Sequence, residues 1–144
     1  MARYVITAVI TGLFFGILDG MIYGNPFAKG MLEAYKPISR KSVHFPAGLL
    51  TDLLSGFVIS YLFIIIMPVL PTGSGVIQGM LYGLILWYFR IFMGVASDWM
   101  RFTIPLKTHL YILLTGLIEM ILLGITNGLL LSDKISISGM DVFY

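Results

Sequence analysis

Hydrophobic residues gather in four long runs along this chain, at 4–24, 47–70, 75–98 and 108–131, and polar residues collect between them. Each run exceeds the ~20 residues that a helix needs to cross the hydrocarbon core of a bilayer. Backbone groups in lipid must bond within their own segment, so helices are the expected form. The pattern predicts an all-α fold, a four-transmembrane-helix bundle, with residues 1–144 forming a single integral membrane domain. The first run is longer than the apolar part of a signal peptide and no small-x-small cleavage site follows it, so it is read as a retained helix.

The connections differ in character. In segment 25–46, Asn25 suits an N-cap and Pro26 the first helical position. Phe27, Met31, Leu32 and Tyr35 then fall on one side of a helix, with Lys29, Glu33 and Lys36 mostly on the other. Lys29 and Glu33 are spaced to pair, and Pro37 ends the run. This predicts a short amphipathic interfacial helix between the first two spans, a connector or lid lying on the membrane surface. The link Pro71-Thr72-Gly73-Ser74 is so short that the second and third spans are expected to be antiparallel neighbours.

Small residues supply the next layer of pattern. Ala8, Gly12, Gly16, Gly20 and Gly24 recur every four residues in the first run, with Asp19 a heptad beyond Gly12. In the third run, Gly79, Gly83, Arg90, Gly94 and Ser97 share one face, because seven residues return an α-helix to within about 20° of its starting direction. Bare backbone lets another helix approach closely, so Gly12, Gly16, Gly20, Gly79, Gly83 and Gly94 are the expected packing positions. The same ridges invite self-association, giving a homo-oligomer or a partner within a larger membrane complex.

Composition agrees with lipid as the solvent: 58% of the residues are hydrophobic and 11% are charged, against ~25% charged in ordinary soluble domains. The absence of cysteine excludes disulfides and thiolate chemistry. No basic face with interleaved aromatics lies outside the spans, so nucleic acid is not an expected partner. Lys29, Lys36, Arg40 and Lys41 lie in one connection and Arg101 and Lys107 in another, against only Arg3 and Lys134 on the opposite side. That asymmetry puts loops 25–46 and 99–107 in the cytoplasm and both termini outside.

Four ionisable residues fall inside the spans: Asp19, Asp52, Arg90 and Glu119. A charge at the centre of a membrane helix costs at least ~2.5–3.5 kcal/mol, so such groups face the bundle, pair and mark functional sites. Counting from the loop-side helix ends, Asp19 and Asp52 lie ~8 Å deep, Arg90 ~12 Å and Glu119 ~18 Å, near the midplane. One cluster is expected, with Arg90 bonded directly to Asp19. Three carboxylates against one guanidinium cannot all stay ionised in a dry core, and Glu119 is the one expected to exchange a proton. Thr108, Thr115 and Thr126 share its face. The plainer alternative is a structural Arg–Asp pair that fixes helix register. His44 and His109 are read as interfacial residues, since no ligand spacing links them to Asp52 or Asp98 for a metal. No phosphate-binding loop, nucleophile elbow or cofactor motif is present, so neither an enzyme nor a bound cofactor is expected.

Residues 20–31, GMIYGNPFAKGM, together with Gly79-Met80-Leu81-Tyr82-Gly83, Pro105-Leu106-Lys107 and Gly124, resemble a family of small four-helix bacterial membrane proteins known as domain of unknown function 1761. Ile22 stands where that family has a tryptophan. The resemblance implies a four-helix plan in a bacterial inner membrane and brings no activity with it. The expected function is binding or transport of a small molecule or ion with proton linkage. The alternative is a non-catalytic accessory subunit of a larger membrane complex.

Overall fold

The computed structural model describes residues 2–39, 44–70 and 74–135, with side chains through residue 131. The tail, the basic pair Arg40 and Lys41, the side chain of Lys134 and most of the Pro71-Thr72-Gly73-Ser74 link lie outside that description. The described residues are helical, with no strand among them. The first span is α1 (Ala2–Gly24), followed by the short α2 (Pro26–Met31) and a 3₁₀ turn (Glu33–Ile38). The second span is α3 (Phe45–Ile66), closed by a 3₁₀ turn at Met67–Val69. The third is a rod of α4 (Gly75–Trp87), a π-helical turn (Tyr88–Phe92) and α5 (Met93–Arg101), and the fourth is α6 (Leu106–Ile135). All four are long and apolar enough to cross a membrane. Their outer faces are apolar: Ile6 and Ile17 are each 59% exposed and Met21 67%. A bundle coated this way fits a multi-pass membrane protein, because lipid tails solvate such side chains and water does not.

The spans assemble as two tight pairs, α1 with α3 and α4 with α6, joined along α1 and α6. Glycine sets both pairings. A Cβ on Gly12 would stand 2.7 Å from Leu53 Cα, and Gly56 lies against the backbone of Ala8 and Gly12. In the other pair Gly79 and Gly83 of α4 meet Gly124 and Gly128 of α6 backbone to backbone. The second and third spans, expected as neighbours, touch over only a short stretch. A short link fixes their antiparallel sense but supplies no packing, whereas bare backbone attracts each to another partner. Tyr82 bridges them instead: it is fully buried, donates its hydroxyl to the Ile59 carbonyl at 2.6 Å and sets its ring edge-on to Phe63. Phe15, Met67, Met120, Leu123 and Leu131 belong to the same core.

The connector after the first span starts as expected, with Asn25 Oδ1 accepting from the Ala28 N–H at 2.8 Å. It then departs from a single amphipathic helix. The chain tightens into the 3₁₀ turn, which runs through Pro37 rather than ending at it, and the pair that forms is Lys36 with Glu33 at 2.9 Å rather than Lys29 with Glu33. A 3₁₀ turn eclipses residues three apart, which selects the shorter spacing. The Lys36 ammonium holds the Glu33 carboxyl below its usual range.

Candidate functional site

The buried stripe of α1 runs Thr7, Ala8, Thr11, Gly12, Phe15, and the next position on that stripe is Asp19. Helix periodicity therefore aims Asp19 into the bundle, where it is half-buried. Glu119 occupies the matching stripe of α6 and is 2% exposed, with Oε1 accepting no hydrogen bond among the described residues. Asp19 is the charged neighbour that acts most strongly on Glu119, and the two carboxyls can share a hydrogen bond when one carries a proton. Arg90 and Asp52 also act on Glu119. Tyr23, near the loop-side end of α1, feels Glu119, Asp19 and Arg90 as well. Four helices thus bring Asp19, Asp52, Arg90 and Glu119 into one electrostatic neighbourhood.

The expected Arg90–Asp19 bond is not formed. Among the described residues the ion pair within 4.0 Å is Lys36–Glu33, on the connector. Arg90 instead places its guanidinium carbon 4.4 Å from the centroid of the Phe15 ring. A guanidinium over an aromatic face gains electrostatic attraction from the ring quadrupole. Asp52 interacts with both Asp19 and Arg90, and its carboxylate faces Gly16, where a Cβ would lie 3.0 Å from Oδ2. Gly16 thus makes room for a carboxylate.

Arg90 itself lies in the π-turn of the third rod. A π-turn holds more residues than an α-turn, so the helix face rotates as the chain passes through it. Its seat is α6: Trp87 Nε1 donates to the Leu113 carbonyl at 2.9 Å, and Ile91 packs onto Gly116. Beyond it, Gly94 has no atom within 4 Å of where a Cβ would stand, unlike Gly79 and Gly83. Gly20 is open in the same way, so the expected packing ridge stops short of both residues.

Of two buried polar positions on α6, Asn127 went unread in the sequence and His109 was read as interfacial. Asn127 is fully buried and donates through Nδ2 to Thr11 Oγ1 at 3.2 Å and to the Leu123 carbonyl at 2.8 Å, tying α6 to α1. His109, expected at the interface, is 3% exposed, and neither ring nitrogen has a partner among the described residues. Both lie on the stripe that carries Gly116, Met120 and Leu123, so heptad spacing from that stripe is the signal that finds them. The threonines do not form one polar face with Glu119. Thr115 and Thr126 bond to their own helix, and Thr108 donates to the Met31 carbonyl at 2.6 Å. Comparison with protein-family models, with curated proteins and with solved structures finds no significant match.

Proposed function

We propose that this protein binds a small molecule or ion within the membrane, and carries it, with proton exchange at Glu119 linked to binding. The observation that carries this reading is the buried Glu119 Oε1, without a hydrogen-bond partner among the described residues, set beside a second carboxyl and under the influence of a guanidinium. A buried acceptor left without a donor is costly unless a proton or ligand engages it. Asp19 is the second carboxyl beside Glu119, and Asp52 and Arg90 set the local charge. Infrared spectra of the purified protein are expected to show a buried carboxyl band that changes with pH and disappears in Glu119→Gln, with the helical signal retained. A band that survives the substitution unchanged rejects Glu119 as the proton site.

A second reading has its own support. Gly20 and Gly24 of α1 and Gly94 of α5 leave bare backbone on the outside of the bundle. Such positions suit close docking of another helix, from a second copy or from a larger complex in which this chain is a non-catalytic subunit. Failure of the infrared test favours that role.

For orientation we propose cytoplasmic loops 25–46 and 99–107, on the strength of their lysines and arginines. Ser74→Cys should react with an impermeant thiol reagent in intact cells, and Ser42→Cys should react only after lysis. The opposite labelling pattern inverts the topology.

A further inference from the structure

A groove of about 370 Å³ runs between α3 and α4. Leu54, Val58 and Leu62 wall it on one side and Leu86 on the other, with Ile59 and Met120 as its floor. Its one charged lining residue is Arg90. The Tyr82–Ile59 bond sets an antiparallel register that brings Arg90 level with Thr51, and Leu86 level with Ser55. The Arg90 guanidinium and the Ser55 hydroxyl, about one helical turn apart in level, both line the loop-side part of the groove. Thr51 is already committed there, donating to the Ala47 carbonyl at 2.8 Å.

That end presents donors. Arg90 is exposed, makes no ion pair within 4.0 Å among the described residues, and carries N–H groups in a fork that matches a carboxylate. Asp19 of α1, Asp52 of α3 and Glu119 of α6 belong to its neighbourhood, and Tyr23 of α1 also feels its charge. None of these four lines the groove, and the Asp52 carboxylate is turned to Gly16. The remainder of the groove is hydrocarbon. From Thr51 to Leu62 it rises ~16 Å, about half of the ~30 Å bilayer core, and its volume suits one chain rather than two.

Depth separates the sources of such a ligand. Arg90 sits ~16 Å along the rod from its loop-side end at Arg101, below the level where a phospholipid headgroup rests. A resident bilayer lipid would offer a tail to this guanidinium. A free carboxylate is small enough to sink to it. We propose that the groove binds a single-chain lipophilic carboxylate, its head on Arg90 and Ser55 and its chain along Leu54, Val58 and Leu62. This rests on the reading of the Arg90 cluster as a binding site and names its ligand class. A proton taken up at Glu119 offsets the charge that the ligand brings, which ties the groove to the proton site.

The test is radiolabelled palmitate binding to the full chain in phosphatidylcholine nanodiscs. Saturable binding is expected, weakened roughly tenfold or more in Arg90→Gln through loss of a charge-assisted hydrogen bond. Val58→Trp, which fills the groove from a lipid-facing position, should weaken it similarly and covers the case in which Arg90→Gln does not fold. Hexadecanol should compete poorly, because it has the chain without the charge. No saturable binding, or full binding in Val58→Trp, overturns the proposal. Hexadecylamine competing as well as palmitate would also overturn it, showing that the acids set the charge preference. Displacement of palmitate by phosphatidylglycerol would overturn it in favour of an ordinary lipid contact. Palmitate binding in a protein that lacks the pH-sensitive Glu119 band supports the groove and removes the proton linkage. The band without palmitate binding does the reverse.

Discussion

Gly83→Leu is expected to abolish recovery of folded protein, while Gly94→Leu purifies and melts like the parent. The two glycines lie on one face by simple helical counting, so the contrast isolates what the structure adds. At Gly83 a Cβ would stand 2.7 Å from Ile121 Cα, inside the α4–α6 seam. Backbone cannot yield as a flexible side chain can, so leucine must drive the helices apart along the Gly79–Gly124 and Gly83–Gly124 contacts. Overpacking of a tight core typically costs ~1–3 kcal/mol. Here it also removes close contacts along the whole seam, the most extensive pairing in the bundle. At Gly94 the space is open. Size-exclusion profiles and thermal midpoints of the two variants in the same detergent decide the matter. A Gly83→Leu protein with unchanged midpoint would mean that α4 and α6 do not pack through these glycines. A Gly94→Leu protein that loses only its oligomer would locate a docking face on α5.

The second large effect is expected at Arg90. Arg90→Ala should be the most destabilising single change within the charge cluster, because it removes the only cation among four ionisable residues. The stranded charge costs about 2.5–3.5 kcal/mol on the scale of membrane insertion. Asp19→Asn and Asp52→Asn should each cost less, since each removes a charge that the cluster holds in excess. The structure also orders the rescues. Arg90 acts on Asp52 and Glu119, Asp19 acts on the same two carboxyls, and no Arg90–Asp19 ion pair is formed. Asp52→Asn should therefore recover more of the Arg90→Ala loss than Asp19→Asn does, and both together more than either. Double-mutant cycles on thermal stability measure these couplings. Full rescue by Asp19→Asn alone would restore the direct pair. Strict additivity throughout would show that the four residues do not interact.

The sequence by itself determined the four spans, their alternating direction, the Asn25 cap and the position of each charge along its span. These depend on run length, helical rise and turn chemistry, which are local quantities. It also placed Asp19, Asp52, Arg90 and Glu119 at positions along their spans that allow them to gather. It did not determine the rotation of the helices. In water an amphipathic stripe marks the buried face; in lipid every face of a span is apolar, and that signal fades. Glycine spacing stood in for it: Gly12, Gly79 and Gly83 do meet the backbone of another helix, whereas Gly20 of the regular α1 does not. It failed at Gly94, because the π-turn at Tyr88–Phe92 breaks the 3.6-residue count, and nothing in YFRIF announces that turn apart from its contacts with α6. Tertiary packing alone decided which helices pair, because backbone contact between two glycine surfaces depends on both partners. It likewise sent Arg90 to the face of Phe15, buried His109, and left Glu119 Oε1 without a partner among the described residues. Each of these is a relation between spans far apart in the chain, settled only when their surfaces meet.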